Sequence, residues 1–439
     1  MTAAETALKG RENKMKIDRI SLKNFRLASE VNLDFDKRLN VFVGVNGSGK
    51  STVLDALSLA LSWFVSKSKA SKKTGQKIDE TDIRFDEDRC SVSAYAQHNS
   101  KSFKWQINKS RKENLKNEIS EINQLIASFQ KEGSSPVVCY YPVERSITEK
   151  ISGSLKPGVY PPEVIKSSLN GKADYNLLFN WIREREDLLN QKLAEAYRKH
   201  RNNPSQMEIE PDSQYEAVKK TIETFVPEVS NIKVERESHS AGGASLVMEK
   251  AGETLSFDQL SGGEKNLIAL AGDIAMRLVN SAPESKNPLE NEGIILIDEI
   301  DLHLHPSWQR TVIPNLIEAF PNCQFFISTH SPQVISNVRK TNQVFCLRQL
   351  EDGLESSHPV STGKAPYGMS IDRVVELVMD DEARPKEISE KLSSVFRLIE
   401  WKKFDQAKSI LNELKKDMPS EDPEIMRADT LIRMEEIRN

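Results

Sequence analysis

The segment Gly44–Ser51, GVNGSGKS, is the sequence feature that most restricts how this chain can fold. It matches the pattern G-x-x-x-x-G-K-[ST] and lies between an apolar run, RLNVFV, and a segment with leucines at helical spacing. Glycines let successive backbone N–H groups turn inward around phosphate oxygens, and the following helix N-terminus adds about half a positive charge. A strand before and a helix after are the context that makes this pattern specific. The sequence therefore predicts a nucleoside triphosphate site in an α/β fold.

The residues of this loop have distinct predicted roles. Lys50 is expected to reach the β- and γ-phosphates, and the Ser51 hydroxyl is expected to take Mg²⁺. ATP and Mg²⁺ are therefore the predicted ligands. The candidate nucleotide-binding residues of the loop are Asn46, Gly47, Ser48, Gly49, Lys50, Ser51 and Thr52. The alternative, a glycine-rich turn with a chance lysine, is disfavoured because both flanking elements are present.

The stretch Ile294–Gln309, IILIDEIDLHLHPSWQ, is predicted to bring acidic groups to the same site. An unbroken apolar run is typical of a strand buried on both faces of a parallel sheet, and ligands bind at the carboxyl ends of such strands. Asp298 at that end is predicted to hold Mg²⁺ together with Ser51, and Glu299 to orient or deprotonate the attacking water. Asp301 follows in the turn and is a candidate contact with a facing protomer.

His303 and His305 in the same stretch raise the alternative of a metal site. Both side chains would share one face of an extended segment, but only Asp301 is close enough in sequence to act as a further ligand. We therefore interpret this segment as an interface turn, which leads into a helix predicted from about Ser307 to Phe320.

A second predicted anion site lies at Leu260–Glu264, LSGGE, where Ser261 can cap the following helix. The buried face of this helix is predicted to contain Leu267, Leu270, Ala271, Ile274 and Leu278. The candidate binding residues are Ser261, Gly262, Gly263 and Glu264. This helix start cannot easily reach phosphates that the Lys50 loop of its own chain already holds. The sequence therefore predicts that it faces the γ-phosphate bound to another copy, as in a nucleotide-sandwich dimer.

His330 follows the apolar strand FFIST and is predicted to lie beside Asp298. An imidazole at that position could sense the γ-phosphate. The candidate catalytic residues are thus Lys50, Glu299 and His330. A purely structural histidine is the alternative for His330, disfavoured here because the other three motifs are present.

Composition excludes several classes of protein. The 439 residues suffice for two or three domains, and the net charge of −4 restricts any nucleic-acid contact to local patches. The four cysteines are scattered without a CxxC pair, which favours a reducing cytoplasm over a disulfide framework. No apolar run is long enough for a membrane helix.

Pattern changes along the chain predict five regions. These are a polar extension at 1–14, an N-terminal lobe with the phosphate loop at 15–112, a helical insertion or arm at 113–230, a C-terminal lobe at 231–360, and a helical assembly or docking region at 361–439. Within the arm, helices are predicted at 113–132 and 175–199. The apolar stretch of the first, from Leu115 to Phe129, spans barely two heptads, which is too short for the long tethers that entrap chromosomes.

The four motifs, in this order, resemble the ABC-type ATPase superfamily, in particular its soluble branch of SMC, Rad50 and RecF proteins. The stretch ISLKNFRLASEVNLDF is similar to the first strands of that branch, which would place Phe25 and Arg26 near the nucleotide base. No glutamine occupies an unambiguous Q-loop position. Gln76 lies in a lysine-rich loop, and the TDIRF segment with Asp82 and Arg84 is the favoured counterpart.

A closer resemblance is to the PtuA family, the ATPase subunits of Septu anti-phage systems, with related ATPases in some retrons. It is carried by SFDQLSGGEKNLIALAGDIAMRL, GIILIDEIDLHLHPSWQR, FPNCQFFISTHSPQVI, NWIREREDLLN and PVVCYYPVER. The resemblance implies an α/β P-loop ATPase head of the ABC type, with a helical insertion and a C-terminal helical region. It also implies self-association, as a dimer or higher oligomer, and a separate HNH-type nuclease partner.

The leading hypothesis is an ATP-binding and slowly hydrolysing dimer that controls a partner nuclease in anti-phage defence. One alternative is a DNA-repair ATPase of the SMC or RecF type, and another is a non-hydrolysing scaffold that ATP reshapes. A self-contained nuclease is disfavoured because the sequence after His330 is mostly amphipathic helix without clustered Asp-x-Asp. Nucleic acid is a possible contact through the partner or through a lysine loop, although a solvated loop is the favoured interpretation of these lysines. The lysines are Lys67, Lys69, Lys72, Lys73 and Lys77.

Overall fold

The computed structural model describes residues 14–68, 74–132, 135–143, 167–169, 175–200, 211–236, 244–281, 284–350, 353–357, 365–419 and 421–438. It divides into two compact units, Met1–Met369 and Ser370–Asn439. Residues 1–13 of the predicted polar extension and residues 69–73 of the predicted lysine loop, with three of its five lysines, fall outside the described residues. In the described parts of the chain, no helix is long and apolar enough to cross a membrane.

Strands and helices alternate through the first unit. The strands are β1 (Lys16–Phe25), β2 (Ala28–Asp34), β3 (Leu39–Val43), β4 (Arg89–His98), β5 (Lys101–Ser110), β6 (Val137–Tyr141), β7 (Ser167–Ser168), β8 (Val229–Arg236), β9 (Ala244–Lys250), β10 (Glu253–Ser256), β11 (Gly293–Ile297), β12 (Cys323–Ser328), β13 (Val344–Leu350) and β14 (Gly353–Ser357). The helices are α1 (Lys50–Ser68), α2 (Ser120–Glu132), α3 (Tyr175–Lys199), α4 (Ser213–Phe225), α5 (Gly262–Ser281), α6 (Pro306–Ala319) and α7 (Pro332–Ile335).

A seven-stranded sheet in the order β14-β13-β3-β12-β11-β6-β7 forms the centre of this unit. Neighbours from β13 to β7 are parallel, and β14 pairs antiparallel with β13 at one edge. Every residue of β3, β6, β11 and β12 is buried, as expected for strands covered by helices on both faces. The α/β fold predicted from the sequence is confirmed.

Helix α1 lies between two sheets. One side contacts the central sheet, and the other contacts the antiparallel sheet β2-β1-β4-β5, so that one apolar core joins all three. The leucines at helical spacing that follow the loop in the sequence, Leu54, Leu57 and Leu61, are buried, as is Phe64 on the same face. The helix is in fact buried around most of its circumference because the second sheet covers it. Helix α5 covers the opposite face, where it packs against α3, α4 and β6.

The antiparallel sheet is also anchored at the N-terminal edge of the central sheet, through the start of β1. Lys16 Nζ donates to the Asn322 carbonyl at 2.7 Å, and the Ile17 N–H donates to the Gln324 side chain at 2.8 Å. The Lys16 side chain is almost fully buried, and burial lowers its pKa to about 8. A lysine ammonium is thus held at the edge of the core, away from the phosphate loop.

The predicted helical arm at 113–230 needs correction in two respects. Helix α2 begins at Ser120 rather than near Glu113, because Glu118 exchanges two backbone hydrogen bonds with Gln106 of β5 at 2.9 Å and extends that sheet. The arm also contains β6, which pairs with β11 on one side and β7 on the other. The segment is therefore interleaved with the two sheets. Of the two helices predicted in it, α3 has the predicted bounds, α2 is shorter than predicted, and α4 was not predicted.

The second unit is helical. Its helices are α8 (Ile371–Val374), α9 (Lys386–Glu400), α10 (Phe404–Asp417) and α11 (Pro423–Arg438), with a π-helical turn at Val375–Met379. All four helices lie within the region 361–439 that was predicted to be helical. A small apolar core joins α9, α10 and α11, and Arg384 pairs with Asp422 at 2.9 Å. The structure places the start of this unit at Ser370, nine residues after the boundary predicted at 361.

Candidate nucleotide-binding site

The carboxyl ends of four adjacent parallel strands meet at one edge of the central sheet. The phosphate loop follows β3, His330 follows β12, Asp298 and Glu299 follow β11, and Pro142 follows β6. The Thr329 N–H donates to the Phe42 carbonyl at 3.1 Å, which joins the ends of β12 and β3 directly. This is the edge at which ligands bind in open α/β sheets.

Glycine is required at two points of the loop by close packing. Gly44 has a φ of +151°, and a Cβ added there would lie 2.4 Å from the Leu347 carbonyl oxygen. Gly49 has a φ of +93°, and its Cβ would lie 2.8 Å from a methyl group of Leu354. At Gly47 the space is open, and a φ of +80° is what favours glycine. The loop therefore wraps tightly against β13 and β14.

Two polar groups inside this loop fit a bound phosphate. The Ser48 hydroxyl is buried and has no hydrogen-bond partner among the described residues. Lys50 Nζ donates to the carbonyls of Gly44 and Val45, both at 3.0 Å, so the ammonium lies inside the loop. Burial lowers the pKa of Lys50, while the charges of Asp298, Glu299 and Asp301 oppose that shift. A buried unpaired donor beside a lysine ammonium is suited to anionic oxygens.

Ser328 at the end of β12 organises the two carboxylates. Its hydroxyl donates to Asp298 Oδ1, and the Glu299 N–H donates to the same hydroxyl at 2.7 Å. Asp298 is buried, whereas Glu299 is partly exposed and adopts a left-handed φ of +45°. One serine on the neighbouring strand thus fixes both a buried carboxylate and the backbone of an accessible one. Sequence reasoning missed this serine, although its position at a strand end next to His330 offered a signal.

Asp301 acts within its own chain, where it supports His330. Its carboxylate accepts from Thr329 Oγ1 at 2.5 Å and from the His330 N–H at 3.3 Å. Burial lowers the pKa of His330, and the Lys50 charge adds to that effect, with the nearby carboxylates opposing it. The imidazole is therefore neutral near pH 7. Asp301 was predicted to contact a facing protomer. Within its own chain, its carboxylate also accepts the hydrogen bonds from Thr329 and His330.

Ser261 lies at the start of α5, with its side chain in reciprocal contact with Glu264. Both the Ser261 N–H and its hydroxyl donate to Glu264 Oε2, at 2.9 and 2.7 Å, and the Glu264 N–H approaches the Ser261 hydroxyl at 3.4 Å. Burial alone would raise the pKa of Glu264, but hydrogen bonds from Lys250 and Ser261 lower it. Lys250 Nζ lies 2.5 Å from Glu264 Oε1, so β9 anchors the helix start. The predicted buried face of this helix is confirmed.

This helix start opens onto a cleft of about 950 Å³. Opposite it stand His303, His305 and Trp308, and no residue of the phosphate loop lines this cleft. Gly263 approaches the His303 carbonyl so closely that an added Cβ would lie 2.6 Å away. His305 is the N-cap of α6, its ring accepting from the Ser307 N–H at 3.3 Å. The described residues contain no group of three or more His, Cys, Asp or Glu side chains able to hold a metal ion.

The end of β6 lies beside the site; its segment PVVCYYPVER carried the family resemblance but was given no site role from the sequence. The Asp298 N–H donates to the Tyr141 carbonyl at 2.8 Å, and the Tyr140 hydroxyl donates to Asp55 of α1 at 2.7 Å. Arg26 pairs with both Asp55 and Asp82, at 2.5 and 2.8 Å. The signal in the sequence was the tyrosine pair itself, which ends an apolar strand next to a proline.

Two expectations about the nucleotide surroundings change with this geometry. Phe25 and Arg26, predicted to lie near the base, border one pocket, but the Phe25 side chain is completely buried in the core between the two sheets and is not available to stack on a base. Gln76 and Asp82, the alternatives for the missing Q-loop element, line one pocket of about 370 Å³ together with Arg26 and Tyr140. Arg84 instead donates to the Leu27 carbonyl at 2.9 Å and fixes the β1–β2 turn.

Comparisons with known proteins agree with this architecture. A family model described as "AAA domain, putative AbiEii toxin, Type IV TA system" matches residues 39–336, more than half of the chain. The "Retron Vc95 probable ATPase" of Vibrio cholerae is 29% identical over 88% of this chain and 83% of its own length. The "Retron Ec83 probable ATPase" of Escherichia coli is 30% identical over 85% of this chain and 78% of its own length.

A third relative carries the other resemblance noted in the sequence. "Septu protein PtuA" of Bacillus thuringiensis is 25% identical over 81% of this chain and 82% of its own length. The family model spans the phosphate loop, the Ser261 helix start, the β11 carboxylates and His330. The chain therefore belongs to the AAA-domain ATPase family that includes the retron ATPases and Septu protein PtuA.

Proposed function

We propose that two copies of this ATPase bind ATP and Mg²⁺ between them, each copy contributing a different half of every site. The observation that carries this proposal is the separation of the two anion sites on one chain. The phosphate loop opens at the strand ends beside Asp298 and His330, whereas Ser261 opens into a different cleft with His303 and His305. A second copy is the simplest source of phosphates for that cleft.

The first half of the site binds the phosphates and the metal ion. The loop N–H groups and Lys50 hold the β- and γ-phosphates, and the unpaired Ser48 hydroxyl donates to an oxygen there. Ser51 and Asp298 would hold Mg²⁺, which would neutralise charge on the phosphates. The buried position of Asp298 and the hydrogen bond that it accepts from Ser328 fix the orientation of this carboxylate.

Glu299 and His330 act on the γ-phosphate side. Glu299 orients or deprotonates the attacking water. The hydrogen bond from its backbone N–H to the Ser328 hydroxyl fixes the position of the backbone from which the side chain extends. The backbone N–H of His330 donates to Asp301, and the His330 imidazole donates a hydrogen bond toward the γ-phosphate. Ser261 and the α5 N-terminus of the second copy complete the donor set. Hydrolysis is slow, since it waits for two copies to meet.

Mixing two inactive variants tests the shared site directly. Lys50→Ala disables the phosphate loop, and Ser261→Arg blocks the helix start, so each variant alone should hydrolyse ATP at background rate. In a mixture, mixed dimers regain one complete site from the intact halves. We expect hydrolysis, measured as phosphate release, to return to roughly a quarter of the wild-type rate.

The matched control mixes two variants from the same half. Lys50→Ala and Glu299→Gln together leave no site with both an intact loop and an intact carboxylate, so we expect no recovery. Recovery in neither mixture, with wild-type activity in the parent protein, would show that each chain contains a complete site. Glu299→Gln alone should bind ATP and accumulate as an ATP-bound dimer in size-exclusion chromatography.

We further propose that this ATPase controls a partner nuclease of the HNH type in anti-phage defence. Its support is the likeness to proteins named as retron ATPases and Septu protein PtuA. The test is co-expression with an HNH nuclease encoded beside this gene, followed by purification through a tag on the ATPase. A stable complex whose DNA cleavage changes with ATP supports the proposal, and failure to co-purify with or without ATP contradicts it.

A further inference from the structure

The last two residues of β6, Tyr140 and Tyr141, connect the central sheet to helices on both of its faces. Successive residues of a strand point to opposite faces, so the two rings leave the sheet in opposite directions. Tyr140 joins the core that contains α1, and Tyr141 packs on the α5 side. Both rings are buried.

On the first face, Tyr140 reaches the helix that carries the phosphate loop. Its hydroxyl donates to Asp55 Oδ1 at 2.7 Å, and Arg26 donates to the other oxygen of the same carboxylate at 2.5 Å. Asp55 lies just over one turn beyond Lys50 on α1. Any movement of the first turns of α1 on phosphate binding is therefore transmitted to Tyr140.

On the second face, Tyr141 reaches the helix that begins after Ser261. Its hydroxyl donates to Asp273 Oδ2 at 2.6 Å, and Arg277 Nε donates to the same oxygen at 2.7 Å. The Asp273 and Arg277 side chains are each only 1% exposed. The other carboxylate oxygen of Asp273 has no hydrogen-bond partner within the described residues. The tyrosine hydroxyl is thus a major stabilising contact of a charge buried in α5.

The backbone of Tyr141 adds a third connection, because its carbonyl accepts from the Asp298 N–H at 2.8 Å. Tyr140 and Tyr141 together therefore contact three elements. These are the phosphate-loop helix α1, the helix α5 that begins after Ser261, and the end of β11 with Asp298. Buried hydrogen bonds to carboxylates are short and directional, so the connected elements shift together rather than independently.

We propose that Tyr140 and Tyr141 are positioning residues that couple the two nucleotide sites of the dimer. Occupation of the loop in one copy shifts the end of β6, and through Asp273 this shift sets the position of α5, whose N-terminus serves the other copy's nucleotide. This inference rests on the proposed two-copy site, because α5 faces a second nucleotide only in that arrangement.

The experiment compares Tyr141→Phe with a matched control elsewhere in the fold. Tyr215→Phe also removes a buried tyrosine hydroxyl that donates to a carboxylate, that of Glu186 at 2.6 Å, but it touches neither nucleotide half. We expect both variants to bind a non-hydrolysable ATP analogue within about twofold of wild type. Tyr141→Phe alone should lower hydrolysis about tenfold and reduce the Hill coefficient for ATP from about 2 to about 1.

The outcomes separate this inference from the function on which it rests. If the wild-type protein hydrolyses ATP without cooperativity and the Lys50→Ala and Ser261→Arg mixture recovers nothing, the two-copy site itself fails. If that mixture recovers activity but Tyr141→Phe behaves like Tyr215→Phe, the coupling through Tyr141 is overturned. Should Tyr141→Phe fold poorly by circular dichroism, Tyr140→Phe cuts the same connection on the α1 face. Cooperative hydrolysis by Tyr140→Phe would then overturn the proposal.

Discussion

At the scale of single residues, the sequence predicted the charged groups better than the neutral groups that hold them. Asp298 and Glu299 follow an apolar strand and were visible as candidates, but Ser328, which contacts both, lies on another strand. Which serine faces a carboxylate depends on the register between β11 and β12, and no local pattern encodes that register. Asp301 was identified, but its support of His330 became apparent only from the folded arrangement.

Lys16 offers a residue-scale prediction about pH. Burial lowers its pKa from 10.5 to about 8, so the folded state disfavours the ammonium. The stability that this group contributes is complete above about pH 10.5 and is lost as the pH falls through 8. Lys16→Met removes the buried charge. The unfolding free energy of Lys16→Met minus that of wild type should therefore be about 2 to 3 kcal/mol larger at pH 7 than at pH 10.

The measurement is urea unfolding of both proteins at the two pH values, and the control is an exposed lysine of β5. Lys101→Met replaces the same side chain where the residue is exposed, and should show the same difference from wild type at both pH values. A Lys16→Met difference that does not change with pH would contradict the assignment of a lowered pKa to Lys16.

At the scale of elements, periodicity located the helices and buried strands but not the way they interleave. Helix α3 has the bounds predicted from its apolar spacing, whereas β6 was absorbed into a predicted arm. Five apolar or aromatic residues are equally compatible with a helix turn, and only pairing with β11 makes them a strand. The start of α2 was likewise placed too early in the chain, since Glu118 pairs with Gln106 of β5 and the helix begins only at Ser120.

Lys250 gives an element-scale prediction, because it connects β9 to the start of α5. Its ammonium lies 2.5 Å from Glu264, a carboxylate that is only 2% exposed and that also holds Ser261. Lys250→Met leaves this carboxylate buried without a cation, which should lower the unfolding free energy by about 2 kcal/mol. It should also weaken ATP-dependent dimerisation more than ATP binding to the monomer.

Lys233→Met is the matched control on the neighbouring strand β8. Its ammonium lies 3.7 Å from Glu235, and both side chains are substantially exposed, so removal should change stability by less than about 0.5 kcal/mol. Thermal unfolding and analytical ultracentrifugation with ATP measure the two effects. Equal losses in the two variants would mean that the Lys250–Glu264 contact does not support the helix start.

At the scale of the whole molecule, the order of the four motifs was enough to predict the family and the α/β head. Each motif is less specific alone than in combination. Few families have, in one chain and in this order, a phosphate loop, a serine-capped helix, an acidic strand end and a histidine strand end. The two-copy arrangement was predicted only indirectly, because the Ser261 helix start cannot easily reach phosphates held by its own chain. The nuclease partner came from the family resemblance alone, since residue spacing in one chain carries no direct signal for the surface of another.

The division at Met369 allows a whole-molecule prediction. A chain that ends at Met369 retains the central sheet and every candidate nucleotide residue, so we expect it to fold and to bind ATP like the full chain. The helices from Ser370 onward carry their own core, and we propose that they mediate assembly or partner docking. The shortened chain should therefore lose self-association or binding of the nuclease. Light scattering measures the first, and co-purification with the nuclease measures the second. Unchanged self-association and partner binding in the shortened chain would exclude this role.

The backbone of Glu299 has a consequence for the evolution of this chain. A glutamate with a φ of +45° is strained by about 1 kcal/mol, a cost that glycine or asparagine at the same place would largely avoid. The residue proposed to activate water is therefore one at which the fold is less stable than it could be. Selection for thermal resistance alone would favour replacing it, and the resulting proteins would be sturdier and inactive. Retaining glutamate here is a trade-off between stability and activity, set by one peptide unit.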